Sequence, residues 1–119
     1  MRMFAKSMTL AAVMLAGAAQ AAAPTAYSHA IDCMAATMSG RKVISDSLPK
    51  TTDPMQAFYA GPSWARRMHE LAKQSGKTDA NAEADGTARL ASANTAALAG
   101  HPLFDKVFVL ACFKDTPRG

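Results

Sequence analysis

The chain has 119 residues, of which 50% are hydrophobic and 18% charged, and its formal net charge is +4. Its basic residues are spread among acidic ones and do not alternate with aromatic residues, so the sequence does not predict a nucleic-acid-binding protein. After the N-terminal region, no segment approaches the ~20 consecutive apolar residues that a membrane-spanning helix needs.

The first 21 residues have the three parts of a secretory signal peptide. Arg2 and Lys6 form a basic start, residues 8–19 form an apolar run, and Ala19-Gln20-Ala21 has the A-x-A form that signal peptidase cleaves. The apolar run is too short to anchor the chain in a membrane. We therefore predict that residues 1–21 are removed and that the protein is periplasmic or secreted.

The remaining chain, residues 22–119, has the length of one small domain and carries two cysteines, Cys33 and Cys112. Export places both where thiols are normally oxidised, and neither lies in a C-x-x-C motif. We therefore predict a structural disulfide between them, with two free thiols in a catalytic or metal-binding role as the alternative. Such a bridge closes a loop of about 80 residues, for which the chain-entropy model gives roughly 4–5 kcal/mol at most.

The first predicted helix runs from Tyr27 to Leu48 and ends before Pro49. Its apolar residues recur at the spacing of one helical stripe. The stripe and its flanks contain Tyr27, Ile31, Met34 and Met38, with Ala30, Cys33, Thr37 and Ile44 beside them. Gly40 weakens the middle of this helix by about 1 kcal/mol relative to alanine, but we expect one helix.

A second helix is predicted to begin near Pro54, because Asp53-Pro54 has the form of an N-cap followed by a proline in the first turn. Gly61-Pro62 interrupts this helix, since proline lacks a backbone donor and clashes with the preceding turn. We therefore expect a kink or a restart at this point. The restarted piece, residues 62–75, has an apolar face formed by Trp64, Met68 and Leu71.

The third predicted helix runs from Asp79 to Ala99 and is rich in alanine, which favours helix formation. Its only large apolar residues are Leu90 and Leu98, so it can bury little area. We expect it either to pack closely through small side chains or to be the most mobile element.

The last predicted element runs from Leu103 to Lys114 and is apolar on nearly all sides, which indicates a buried, central segment. Residues 107–113 also suit a strand, but no second clear strand exists to pair with them, so we predict a helix. The expected fold is an all-α, four-helix domain whose first and last helices are joined by the disulfide.

Residues 58–67 bring aromatic and arginine side chains together around the expected break in the second helix. Both residue types are enriched at the hot spots of protein interfaces. The predicted partner-binding residues are Tyr59, Trp64, Arg66 and Arg67. The alternative is that Phe58 and Trp64 belong to the core and that the two arginines form a solvated face.

Two further groups of residues carry weaker signals. His29, Asp32 and Cys33 have a spacing that suits a metal site, but an oxidised Cys33 offers no thiolate, so we predict no metal ion and a solvent-facing His29 and Asp32. The second group contains methionines, whose flexible thioethers suit an adaptable apolar groove, although helical spacing favours the core. It consists of Met34, Met38, Met55 and Met68.

The chain contains no G-x-S-x-G, no H-E-x-x-H and no phosphate-binding loop. We therefore predict a non-catalytic protein without a cofactor that binds one protein partner in the cell envelope, as an inhibitor, immunity factor or assembly factor. Two alternatives stay open. One is a periplasmic stress chaperone that exposes a methionine and aromatic surface, and the other is a carrier with a cavity for a small apolar ligand beneath the alanine-rich helix.

Overall fold

The computed structural model describes residues 25–118, which form five α-helices and contain no β-strand. The all-α prediction is confirmed, but the described chain has five helices where four were expected. Within these residues, no helix is both long and apolar enough to cross a bilayer. The predicted signal peptide, residues 1–21, lies outside the described residues. The helices are α1 (Ala26–Ser39), α2 (Arg41–Ser47), α3 (Gln56–Gln74), α4 (Asp79–Leu98) and α5 (Lys106–Lys114).

The first predicted helix is divided at Gly40 into α1 and α2, so the expectation of one continuous helix was wrong. α1 begins with a capping box in which the side chains of Thr25 and Ser28 each accept a backbone N–H of the other. At its end, the Gly40 N–H donates to the carbonyl of Ala36 at 2.8 Å. Glycine has a low helix propensity, and here its effect is enough to end the helix.

α3 differs in two respects from the second helix expected from the sequence. It begins at Gln56, close to the expected start near Pro54, but its N-cap is Met55, and the Asp53 carboxylate accepts the Met55 N–H at 3.0 Å in the preceding turn. It also continues through Pro62 as one helix, so the expected restart does not occur. Residues on both sides of the proline are buried against the core, and this shared packing offsets the lost backbone hydrogen bond. They are Ala57, Ala60, Gly61, Trp64, Met68 and Ala72.

α4 packs through small side chains, which is one of the two behaviours expected of an alanine-rich helix. Its buried residues are Ala82, Gly86 and Ala93, whereas Leu98 is 91% exposed. Polar contacts add to this thin apolar contact, because Asp85 accepts the Tyr27 hydroxyl at 2.6 Å and Arg89 Nε donates to an Asp32 oxygen at 2.7 Å. α4 is therefore held to α1 by close packing and by hydrogen bonds.

α5 confirms the helix prediction for residues 107–113, and Asp105 caps it by accepting the Phe108 N–H at 2.8 Å. The expectation of a segment buried on all sides was wrong. Only Val109 and Cys112 are buried, and Val107 is 79% exposed. The physical reason is that α5 contacts α1 and α2 along one side and lies at the edge of the bundle.

α1 is the central helix, since it contacts each of the other four helices. The predicted disulfide between Cys33 of α1 and Cys112 of α5 is present, and both cysteines are buried. Trp64 of α3 lies over the same region and donates its indole N–H to the Cys112 carbonyl at 2.9 Å. The disulfide and this hydrogen bond join α1, α3 and α5 at one point in the core.

We expect the disulfide to supply a large part of the folding free energy. Reduction, or replacement in a Cys33→Ala/Cys112→Ala variant, should lower the free energy of unfolding by about 2–5 kcal/mol, because the unfolded chain regains the freedom of a long loop. Urea unfolding of oxidised and reduced protein measures this change. The double variant, which has no thiol left, should not respond to reductant. A reduction effect below about 0.5 kcal/mol would contradict this account.

Stability should fall in strong alkali because of Tyr27. Burial, together with the hydrogen bond and negative charge of Asp85, raises the pKa of Tyr27 from 10.0 to about 12. The folded state therefore holds Tyr27 neutral where the unfolded state ionises it. The contribution is fully present below pH 10.0 and is lost as the pH rises towards about 12.

Denaturant unfolding over this alkaline range tests the expectation with two matched variants. Tyr27→Phe removes the titrating hydroxyl and should flatten the decline in stability. Tyr59→Phe removes the only other tyrosine hydroxyl of the chain and should retain the decline, because the contact between Tyr27 and Asp85 is intact. Equal declines in the two variants would show that Tyr27 is not the source.

Candidate functional site

Three large apolar side chains are exposed at the start of α3. Met55 is 48% exposed, Phe58 42% and Tyr59 55%, and we call these three residues the α3 patch. They span about 100° of the helix surface, with Met55 between the two aromatic rings. The Arg41 guanidinium of α2 lies 4.5 Å from the centre of the Phe58 ring, in a cation–π contact. The patch therefore combines apolar rings with a positive charge.

A pocket of about 400 Å³ adjoins the α3 patch, and we call it the C-terminal pocket. Its apolar surfaces include Tyr59 and Phe113, and its charged residues are Lys114 and Arg118. The Thr116 hydroxyl donates to the Phe113 carbonyl at 2.6 Å, which holds the tail beside α5. The complete lining is Gln56, Tyr59, Ala60, Phe113, Lys114, Thr116, Pro117 and Arg118.

Trp64, one of the predicted partner-binding residues, lies in the core. Its side chain is 7% exposed, its indole N–H donates to the Cys112 carbonyl, and its ring makes a T-shaped contact with the His29 imidazole at 5.6 Å between centroids. A partner that docks on the outside of the protein does not reach this ring. Trp64 thus acts here as a core residue, as the alternative interpretation of the sequence had it.

The other three predicted residues lie on the outside of α3. Tyr59 and Arg66 are seven residues apart and lie within about 20° of each other on the helix surface, whereas Arg67 is turned about 80° away from Tyr59. Arg67 contacts the carboxylate of Glu70 at 3.3 Å. The structure therefore groups Tyr59 with Arg66 on one face, and partner binding by these residues stays a prediction.

Sequence reasoning missed Phe58 and the C-terminal residues as parts of this surface. Phe58 had been assigned to the core in the alternative interpretation, but it is 42% exposed and covered on one side by Arg41. One signal was present in the sequence. Phe58 and Tyr59 are adjacent, and because consecutive helical residues point about 100° apart, the two rings are directed to different parts of the helix surface. Tyr59 and Phe113 come together only in the folded chain.

The residues with metal-like spacing on α1 are engaged in other contacts. Asp32 binds Arg89, and Cys33 is in the disulfide with its Sγ 3.5 Å from Nε2 of His29. His29 is exposed, and Asp32 is half-buried rather than fully solvent-facing. Within residues 25–118, no group of three or more His, Cys, Asp or Glu side chains has a metal-binding arrangement.

The histidine of α3 lies between two carboxylates of α4. His69 Nδ1 is 3.2 Å from an Asp79 oxygen, and Nε2 is 3.3 Å from a Glu83 oxygen. A neutral imidazole donates one hydrogen bond, whereas a protonated ring donates from both nitrogens and satisfies both carboxylates. His69 thus links α3 to the first turns of α4.

The four methionines considered as one groove divide into two places. Met55 is in the exposed α3 patch, whereas Met34, Met38 and Met68 line a second pocket between α1, α3 and α4. Met34 is 5% exposed and Met68 3%. The spacing argument for core packing is thus correct for these two residues.

Comparison with protein-family models, with curated proteins and with solved structures found no match to this chain. The α3 patch and the two pockets are therefore the features of the structure that bear on function.

Proposed function

We propose that this chain is an exported, non-catalytic protein that binds another protein through the α3 patch and the adjoining C-terminal pocket. The observation that carries this proposal is the exposure of Met55, Phe58 and Tyr59 within a stretch of five residues, beside an open pocket. Clustered aromatic and apolar side chains of this kind mark protein interaction sites. Single exposed apolar residues scattered over the surface would not support this proposal.

Charge indicates the chemistry of the partner. Arg41 lies against Phe58, and the C-terminal pocket carries Lys114 and Arg118. None of the eight described residues that line this pocket is acidic. We infer that the partner presents an apolar or aromatic side chain flanked by carboxylates, since such a segment fits the apolar walls and is attracted by the cations.

Two links beside the C-terminal pocket favour this proposal. Phe113 directly follows Cys112. The Cys112 sulfur forms the disulfide with α1, and the Cys112 carbonyl accepts a hydrogen bond from Trp64 of α3. These two links fix the relative positions of α3 and α5 on either side of the C-terminal pocket. A preordered surface loses less entropy on binding than a mobile one. The predicted signal peptide and the disulfide together support a location outside the cytoplasm.

The proposal predicts that Tyr59 and Lys114 carry the interaction. Tyr59→Ser should weaken partner binding by about tenfold or more, because it removes a hot-spot ring, and Lys114→Glu should weaken binding by reversing a charge. The measurement is affinity capture of tagged, oxidised protein in cell-envelope extract, followed by mass spectrometry and a titration with the purified partner. Arg66→Ala extends the test along the same face of α3.

Leu98→Ser is the matched control, because Leu98 is an apolar side chain with 91% exposure on another helix. The Leu98→Ser variant should retain a stoichiometric partner that the Tyr59→Ser variant loses. Circular dichroism should show that both variants are folded. Equal loss in the two variants would indicate non-specific apolar adhesion and contradict the proposal. Capture of many unrelated clients, with suppression of their aggregation, would replace it with the chaperone alternative.

A further inference from the structure

A second pocket lies between α1, α3 and the alanine-rich α4, and we call it the methionine pocket. Its volume is about 180 Å³. Thioether side chains of Met34, Met38 and Met68 form much of its apolar lining. The complete lining is Met34, Met38, Ala65, Met68, His69, Glu83, Gly86, Thr87 and Leu90. It is distinct from the α3 patch, which uses none of these residues.

A buried glycine makes the pocket possible. Gly86 is inside α4, and a Cβ atom at this position would lie 3.0 Å from Cε of Met68 and 3.1 Å from Cε of Met34. Real Cβ atoms seldom come so close to their neighbours, so an alanine would require both thioether ends to shift by a few tenths of an ångström. Glycine therefore lets α4 approach the methionine ends of α1 and α3 closely.

The size of the pocket fits one aromatic ring. An apolar protein cavity of about 150 Å³ is known to stay dry and to bind benzene. The methionine pocket, at about 180 Å³, is partly open to solvent and offers room for such a ring and a small substituent.

The chemistry of the lining favours an aromatic ring over an aliphatic one. Methionine sulfur makes favourable contacts with the edges of aromatic rings, and its flexible side chain adapts to their shape. Polar groups lie together on one side of the pocket, where His69 Nε2 is 3.3 Å from Glu83, and Thr87 is nearby in sequence on the same helix. These groups can exchange a hydrogen bond with a hydroxyl or an amino substituent.

We propose that the methionine pocket binds a single-ring aromatic molecule that carries one hydroxyl or amino group. The ring lies against Met34, Met38 and Met68, and the polar group lies towards Glu83 and Thr87. This site is independent of the proposed protein-binding surface, so either proposal stands if the other fails.

Phenol is the first probe, and cyclohexanol, which has the same hydroxyl on a non-aromatic ring, is its matched control. With methyl-labelled methionine in the oxidised protein, phenol should give saturable shifts of the Met34, Met38 and Met68 methyl resonances. Met55 is outside the pocket and should not move, which makes it an internal control. Cyclohexanol should bind several-fold more weakly, by up to about tenfold.

Two sets of variants locate the site. Gly86→Ala should weaken phenol binding several-fold, since its Cβ shifts the thioether ends that line the pocket, while Ser92→Ala at an exposed position of α4 should leave binding unchanged. Met34→Leu/Met68→Leu keeps the apolar lining but removes two sulfurs. This variant should bind phenol and cyclohexanol with nearly equal affinity, and it tests the proposal even if Gly86→Ala fails to fold.

Four results would overturn the proposal. The first three are shifts at Met55 as large as those at the pocket methionines, equal affinity of the unmodified protein for phenol and cyclohexanol, and an unchanged preference for phenol in the double leucine variant. The fourth is that phenol gives no saturable shift at any of the three methyl resonances of Met34, Met38 and Met68.

Discussion

The junction of α1, α3 and α5 around the disulfide is the constraint on which the rest of the structure depends. Cys33 and Cys112 are 79 residues apart and bring the two ends of the described chain together in the core. Trp64 then donates to the Cys112 carbonyl, so α3 is fixed to the same point. A domain of this size buries a limited apolar area, and a covalent link offsets part of the entropy of folding.

This junction explains why the two candidate sites occupy different parts of α3. In the first turns of α3, Ala57 and Ala60 face the core, whereas Met55 and Tyr59 are exposed beside the tail that follows Cys112. Further along, Met68 faces α1 and α4 and lines the methionine pocket. One helix thus contributes to a surface suited to a protein partner and to a partly open pocket suited to a small molecule. The disulfide joins α1 to α5 next to the C-terminal pocket. The methionine pocket lies elsewhere on α1, where this helix faces α3 and α4.

Close backbone approach governs the packing around α1. A Cβ at Gly61 of α3 would lie 2.5 Å from Cγ of Met38, and one at Gly86 of α4 would meet Met34 and Met68. Both glycines lie inside helices, where propensity disfavours them, and both let a neighbouring helix approach. With Gly61 packed against α1 and residues on both sides of Pro62 buried, α3 stays one helix where the local sequence predicted a kink or a restart. Tertiary packing overrode a local rule at that position.

The sequence by itself determined the helical class, the disulfide pairing and the apolar stripe of α1, because these follow from periodicity, from a single pair of cysteines and from the absence of a second strand pattern. It also pointed to the region of Tyr59, although it could not separate this exposed ring from the buried Trp64. The exposure of a side chain depends on which helix packs against its face of α3, and this arrangement cannot be read from a single sequence. Only the tertiary structure placed Phe113 beside Tyr59, and only it assembled three methionines around Gly86, since these contacts join residues that are distant along the chain.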